Sequence, residues 1–256
     1  MTKPTAADHP APDGKDGDAN HPPRINETKA RMEYQGSSGE RRAQSLLGSE
    51  SQAKKFYRRQ RLDYLNPIMR DFIARQEMFF LSTADDEGAC DGSFRAGPPG
   101  FVCVLNEGQI AYPEYLGNGV LGSVGNILQN PKLSLLFMDF FVTTIGLHVN
   151  GRGRIVSDLE IADDGAQSGE IHREDSRRGQ PPTACWVKVD VEEAYIHCSK
   201  HVPLLRKVKK EIHWGTNDPG LKGGDYFEVG GGPGVAHRND TSSSPPSGHA
   251  AAPGWV

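Results

Sequence analysis

From Glu77 to Cys198 the chain never holds an apolar run for long. Each run is stopped within a few residues by glycine, proline or an Asn/Asp pair, and this punctuation limits the fold more than any other feature. EMFFLST (77–83) ends at the turn Ala84-Asp85-Asp86-Glu87-Gly88. Strands are predicted at 90–95, 101–105 and 109–112, the last two joined by Asn106-Glu107-Gly108. KLSLLFMD (132–139) and LHVNGRGRIV (147–156) continue the series, with Gly151 and Gly153 suited to a bend or bulge. The long run CWVKVDVEEAYIHC (185–198) closes it. Short strands joined by tight turns predict an antiparallel meander rather than βαβ units. Six or more of them with one short helix between predict a closed or split barrel, mainly β with flanking helices, an α+β architecture.

Helical spacing is confined to the flanks and to one connection. Ala43, Leu46 and Leu47 share a face in a pattern starting near Gly39. Ser51 to Arg61 places Lys54, Lys55, Arg58 and Arg59 around Phe56 and Tyr57, which reads as a solvated amphipathic helix. Asn66-Pro67 is an N-cap followed by proline at the first helical position, and Leu65, Ile68, Met69, Phe72 and Ile73 then keep helical spacing. Gly117 to Leu128 begins as a loop and becomes a short helix, stopped by Asn130-Pro131. A charged loop with a helical turn is predicted over 157–182, and a basic helix over 201–211. Residues 1–25 and the Gly/Pro/Ser-rich tail 216–256 offer almost nothing to bury and are expected to be disordered. That leaves an N-terminal helical segment, 26–76, and a barrel domain, 77–215.

Composition excludes several function classes. A net charge of −4 with pI near 6.1 provides no basic field for nucleic acid or an anionic membrane surface. No run approaches the roughly 20 apolar residues of a membrane helix, and no apolar segment opens the chain, so a cytoplasmic protein is expected. Cys90, Cys103, Cys185 and Cys198 form no CxxC pair and are expected as free thiols. His197-Cys198 with His201 would need two further ligands, and only His213 offers one, so no metal site is predicted.

The stretch with the most chemistry is DGSFRAGPPGF, 91–101. In an extended chain Ser93 and Arg95 leave by the same face, beside the rigid turn Ala96-Gly97-Pro98-Pro99-Gly100. A hydroxyl beside a planar guanidinium suits a phosphate. Gly117 to Gly122 is literally GxGxxG, with Asp139 at the end of the next strand, which invites a dinucleotide-binding reading. The preceding AYPEYL is not a buried parallel strand and no βαβ series follows, so that reading is set aside.

Taken in order, FFLSTADDEG (79–88), DGSFRAGPPGF, YLGN (115–118), SVGNILQNPKLSLLFMDF (123–140), LHVNGRGRIV and YIHCSK (195–200) resemble the pyridoxamine 5'-phosphate oxidase-like FMN-binding proteins. The resemblance spans 77–200 and implies an FMN-binding split β-barrel working as a homodimer, with FMN in a cleft between subunits. It implies cofactor contacts from Ser93, Arg95, Asn118, Ser123 and Asn126. The vitamin-processing oxidase carries an Arg-x-x-x-Leu-Lys strand and a Ser-Arg-Lys helix start. Ser93-Phe94-Arg95 and Gly122-Ser123-Val124 stand there instead, so the resemblance is to the branch of unassigned substrate. Many relatives also place a basic residue just after the Gly-Asn pair, where Gly119-Val120 stands here, leaving Arg95, with Arg152 or Arg154, as the counter-charge. The function implied is an FMN-dependent oxidoreductase passing hydride between a small molecule and a reduced nicotinamide or deazaflavin. A flavin-binding module without turnover (a sensor, carrier or interaction protein) is the alternative.

Overall fold

A computed structural model describes residues 36–163, 183–213, 216, 218–221, 227, 229 and 230. The expectations for residues 1–25, for most of the tail and for 164–182 lie outside the described residues.

Two helices open the described chain, α1 (Ser38–Leu47) and α2 (Glu50–Gln60). Ser37 and Glu40 form a reciprocal capping box at the start of α1, and Gly48, in the left-handed region at φ 65°, ends it. The hairpin is held by Tyr57, whose hydroxyl donates to Glu40 Oε1 (3.0 Å) and accepts from Gln44 Nε2 (2.8 Å). A short strand, β1 (Arg61–Leu62), leads to α3 (Pro67–Ala74). There Asn66 Oδ1 accepts from Met69 N at 2.9 Å, as the Asn-Pro pair predicts.

Seven further strands follow: β2 (Met78–Ala84), β3 (Cys90–Ala96), β4 (Cys103–Asn106), β5 (Gln109–Glu114), β6 (Lys132–Met138), β7 (Gly146–Val156) and β8 (Cys185–His197). Helix α4 (Gly122–Gln129) lies between β5 and β6, and α5 (Asp158–Asp163) follows β7. All pairings are antiparallel, in the order β3-β2-β6-β7-β8-β5-β4, with β1 on β8. This corrects the simple meander: β2 pairs with β6 on its other side from β3, and β5 pairs with β8 on its other side from β4. The consecutive strands β3 and β4 thus stand at the two ends of the sheet. The chain from Ala96 to Cys103 can span at most about 25 Å, whereas six strand spacings laid flat cover about 29 Å. The short connection therefore requires the sheet to curl, and its open seam makes it a split barrel.

The barrel closes on Phe79, Leu81, Tyr112, Leu135, Phe137 and Val149, with Ile73 of α3 buried among them. Phe79 is the hub, with its ring 5.0 Å from Tyr112, 5.3 Å from Phe137 and 5.8 Å from Phe101. The register between β7 and β8 shifts at Asn150/Gly151, near the anticipated glycines, but the extra residue, Glu192, is on β8. The first half of β8 is buried on both faces, Trp186 through Val189, so its alternation does not mark a solvent side.

One helix is absent. After a single 3₁₀ turn (Ser199–His201) residues 202–213 run without helix. Pro203 has no N–H to give an early helical turn, and Leu205 N is taken by Phe140 O at 2.7 Å, which ties the segment down in a non-helical course.

Candidate functional site

β3 delivers three polar side chains to one face, Asp91, Ser93 and Arg95, while Cys90, Gly92 and Phe94 point the other way. They line a cleft of about 460 Å³ together with Glu114 at the end of β5, the loop Tyr115 to Leu121 and the first turn of α4. The structure thus brings together Ser93, Arg95, Asn118 and Ser123. Asn126 is not part of this lining: its amide faces β2 and donates to Thr83 Oγ1 at 3.0 Å. Arg152 and Arg154 are not in it either, and Arg154 lies 3.4 Å from Glu160 on the far side of β7.

Each side chain in the cleft has a defined state. Arg95 Nε and Nη2 both reach Glu114 Oε1, at 2.9 and 2.8 Å, and Nη1 donates to Phe94 O at 3.2 Å. Glu114 is only 4% exposed. Burial pushes its carboxyl above the ordinary range, against the opposing pull of Arg95. Ser123 is buried and donates to Asp91 Oδ2 at 3.2 Å. Asn118 accepts from Val120 N at 3.0 Å, turning the exposed loop, so its side-chain oxygen is engaged locally. The Ser93 hydroxyl has no partner among the described residues.

Helix α4 begins unusually. Its N-cap is Leu121 in the left-handed region (φ 53°), and no side chain caps it. A leucine cannot accept from the first-turn N–H groups, which leaves their donor capacity and the positive end of the helix dipole facing the cleft. The GxGxxG glycines do not make a dinucleotide turn, because β5 lies between antiparallel neighbours and not in a parallel sheet. Asp139, the acidic residue of that reading, is used up: its carboxylate accepts from the N–H groups of Phe141, Val142 and Thr143 and from the Thr143 hydroxyl.

Three residues were missed by the sequence reading. Asp91 follows from the same two-residue alternation that selects Ser93 and Arg95, so the signal was present. Glu114 could not be found that way, since its meeting with Arg95 depends on the two sheet ends curling together. Tyr112 precedes it on the same face of β5, fully buried, and its hydroxyl has no hydrogen-bond partner among the described residues. Burial, and then Glu114, push that phenol well above its ordinary range.

The sequence pattern of the family described as pyridoxamine 5'-phosphate oxidase matches residues 65–198, more than half of the chain. The protein belongs to this family. No curated protein matches. Solved structures that resemble the chain include HupZ from Group A Streptococcus, at 19% identity over 50% of this chain and 90% of that one, with a TM-score of 0.37. A FAD-binding protein from Mesorhizobium loti matches at 13% identity over 52% and 94%, with a TM-score of 0.36. An F420 reductase matches at 16% identity over 50% and 94%, with a TM-score of 0.33. At these values the likenesses carry no weight for function. Among the described residues no helix is long and apolar enough to cross a membrane.

Proposed function

We propose that this chain binds flavin mononucleotide in the Ser93/Arg95 cleft and, as a homodimer, serves as an oxidoreductase toward a small molecule. The observation that carries the reading is the uncapped start of α4, opening beside Arg95 and the unpartnered hydroxyl of Ser93. The cleft is of the size that ligand sites have, about 300–1,000 Å³. Its donors fit a phosphate: the N–H groups of the first α4 turn, the Ser93 hydroxyl and the N–H groups of Arg95 that Glu114 leaves free.

Two carboxylates share that cleft, and their placement decides how an anion is received. Glu114 matches the charge of Arg95, so the guanidinium is a fixed hydrogen-bonding plate rather than a free counter-ion. Asp91 accepts from Ser123 in the first turn of α4, and its Oδ2 lies 3.8 Å from the Cβ position of Gly122, so a carboxylate also stands beside that terminus. The phosphate is read against the first-turn N–H groups of α4, next to this carboxylate, with Ser93 and Arg95 orienting the chain that follows. The bound flavin would supply the two-electron chemistry, drawing on a reduced nicotinamide or a deazaflavin. The protein's part is to bind, orient and set the local charge.

The homodimer reading is supported by the outer face of the sheet. Phe80 and Phe94, register partners on β2 and β3, are 42% and 53% exposed with ring centroids 5.7 Å apart, next to this cleft's strand. Such an apolar face favours a covering partner, for which a second copy is the reading proposed here.

The test is the colour of the purified full chain, or its colour after loading with FMN, followed by anaerobic NADPH. Bleaching supports turnover. A yellow protein that no donor bleaches supports the flavin-binding module, and a protein that takes up no FMN removes both.

A further inference from the structure

On the outer face of the sheet, three adjacent strands bring together a group of metal-binding atoms whose residues do not line the cleft. Met138 on β6, Gly146 on β7 and His197 on β8 are successive register partners, and His148 lies two residues beyond Gly146 on the same face. His148 Nε2 and His197 Nδ1 are 3.0 Å apart. The ring centroids are 5.2 Å apart, and the His148 ring stacks on Tyr195 at 4.6 Å and 17°. The third member arrives through a missing side chain: a Cβ on Gly146 would collide with Met138 Sδ and lie 2.8 Å from His197 Cβ. Glycine therefore leaves room for the thioether beside His197 at the shared position on β7.

Both imidazoles are half-buried, and Phe56 of α2 meets the Tyr195 ring edge-on at 5.6 Å. The charged neighbours do not intrude. Glu193, the nearest carboxylate along β8, is engaged by Arg61 Nε at 3.3 Å and by Asn150 Nδ2 at 3.3 Å. No group of three His, Cys, Asp or Glu side chains among the described residues could hold a metal ion, so a hard or carboxylate-seeking ion has no site here. Two imidazole nitrogens bound to one ion at about 2.0–2.1 Å lie roughly 3 Å or slightly more apart, close to the separation seen. A thioether as third donor selects a soft ion.

We propose that His148, His197 and Met138 form a binding site for a soft transition-metal ion of the Cu(I) class. The sequence reading looked for partners of His197 among its chain neighbours Cys198 and His201. The partner is instead one strand across the sheet. The site is independent of the flavin reading, since it shares no residue with the cleft.

The test uses the full chain carrying Cys90→Ser and Cys198→Ser, because those exposed thiols would compete for copper. Anaerobic titration against the coloured Cu(I)–bicinchoninate complex should show one equivalent of copper withdrawn. His148→Gln and His197→Gln should each weaken that withdrawal at least tenfold. Histidine variants that take copper as well as the parent would overturn the proposal. If they fail to fold, Met138→Leu, close in volume, decides it. It should lower Cu(I) affinity severalfold, leave Zn(II) affinity nearly unchanged and keep the parent's thermal unfolding. Unchanged Cu(I) affinity in that variant would overturn the proposal as well.

Discussion

Arg95 and Glu114 meet across the two ends of the sheet, with both Nε and Nη2 of the arginine on one carboxylate oxygen, at 2.9 and 2.8 Å. One residue comes from β3 and the other from β5, nineteen positions apart, and both line the cleft. Because Glu114 is almost fully buried, the pair is a constraint on the cleft as much as a source of stability.

Breaking it from either side should have unequal effects. Arg95→Ala strands a buried carboxyl and should cost about 3 kcal/mol of stability, less whatever Glu114 recovers by taking a proton. Glu114→Gln removes the charge but keeps a hydrogen-bonding oxygen, so its cost should be about 1 kcal/mol. Urea unfolding of the two variants checks the order. In the folded fraction of Arg95→Ala, FMN affinity should also fall by about 1.5–3 kcal/mol.

The same carboxyl predicts a pH dependence with a definite sign. Its pKa is raised in the folded state, so the native protein holds a proton that the unfolded chain releases near the ordinary value of 4.5. The stability it contributes is complete below that value and is lost as pH rises through the folded pKa. Urea midpoints measured upward from pH 4.5 should carry a declining component from this group. In Glu114→Gln that component should vanish. An identical pH profile in both proteins would contradict it.

Gly151 sits where the β7–β8 register shifts, and a Cβ there would strike the carbonyl of Asp190 and crowd Val189 Cγ1 at 3.2 Å. The obstacle is backbone of the paired strand, which cannot rotate away. Gly151→Ala should therefore destabilise by about 2 kcal/mol or more, read as a lowered melting temperature. Gly125→Ala, on α4 with open space around its Cβ position, should be neutral or slightly stabilising by comparison.

These sites show why part of the molecule was legible in the sequence and part was not. Strand positions and the Asn66 cap depend on neighbours within a few residues, so alternation and turn chemistry located them. The face shared by Ser93 and Arg95 follows from the same local rule. What failed was longer in range. The β2–β6 pairing reflects closure of the sheet, which no window of sequence contains. The basic run after His201 had helical spacing, but a proline and a hydrogen bond to Phe140 O overrode it. Glu114, which meets Arg95 in the cleft, became visible only once the sheet ends were brought together, whereas Asp91 follows from the alternation on β3. Asn126 was placed by its nearness to the helix start, although it lies one turn too far along and faces β2.

The account rests on an anion-receiving helix terminus beside Arg95, and a comparison of FMN with riboflavin addresses it most directly. Both ligands are titrated into the flavin-free full chain and followed by quenching of flavin fluorescence. The account predicts that FMN binds at least about tenfold more tightly, since one charge-assisted contact at the phosphate exceeds the roughly 1.4 kcal/mol that factor represents. Equal affinity for the two, or no binding of either, would contradict it.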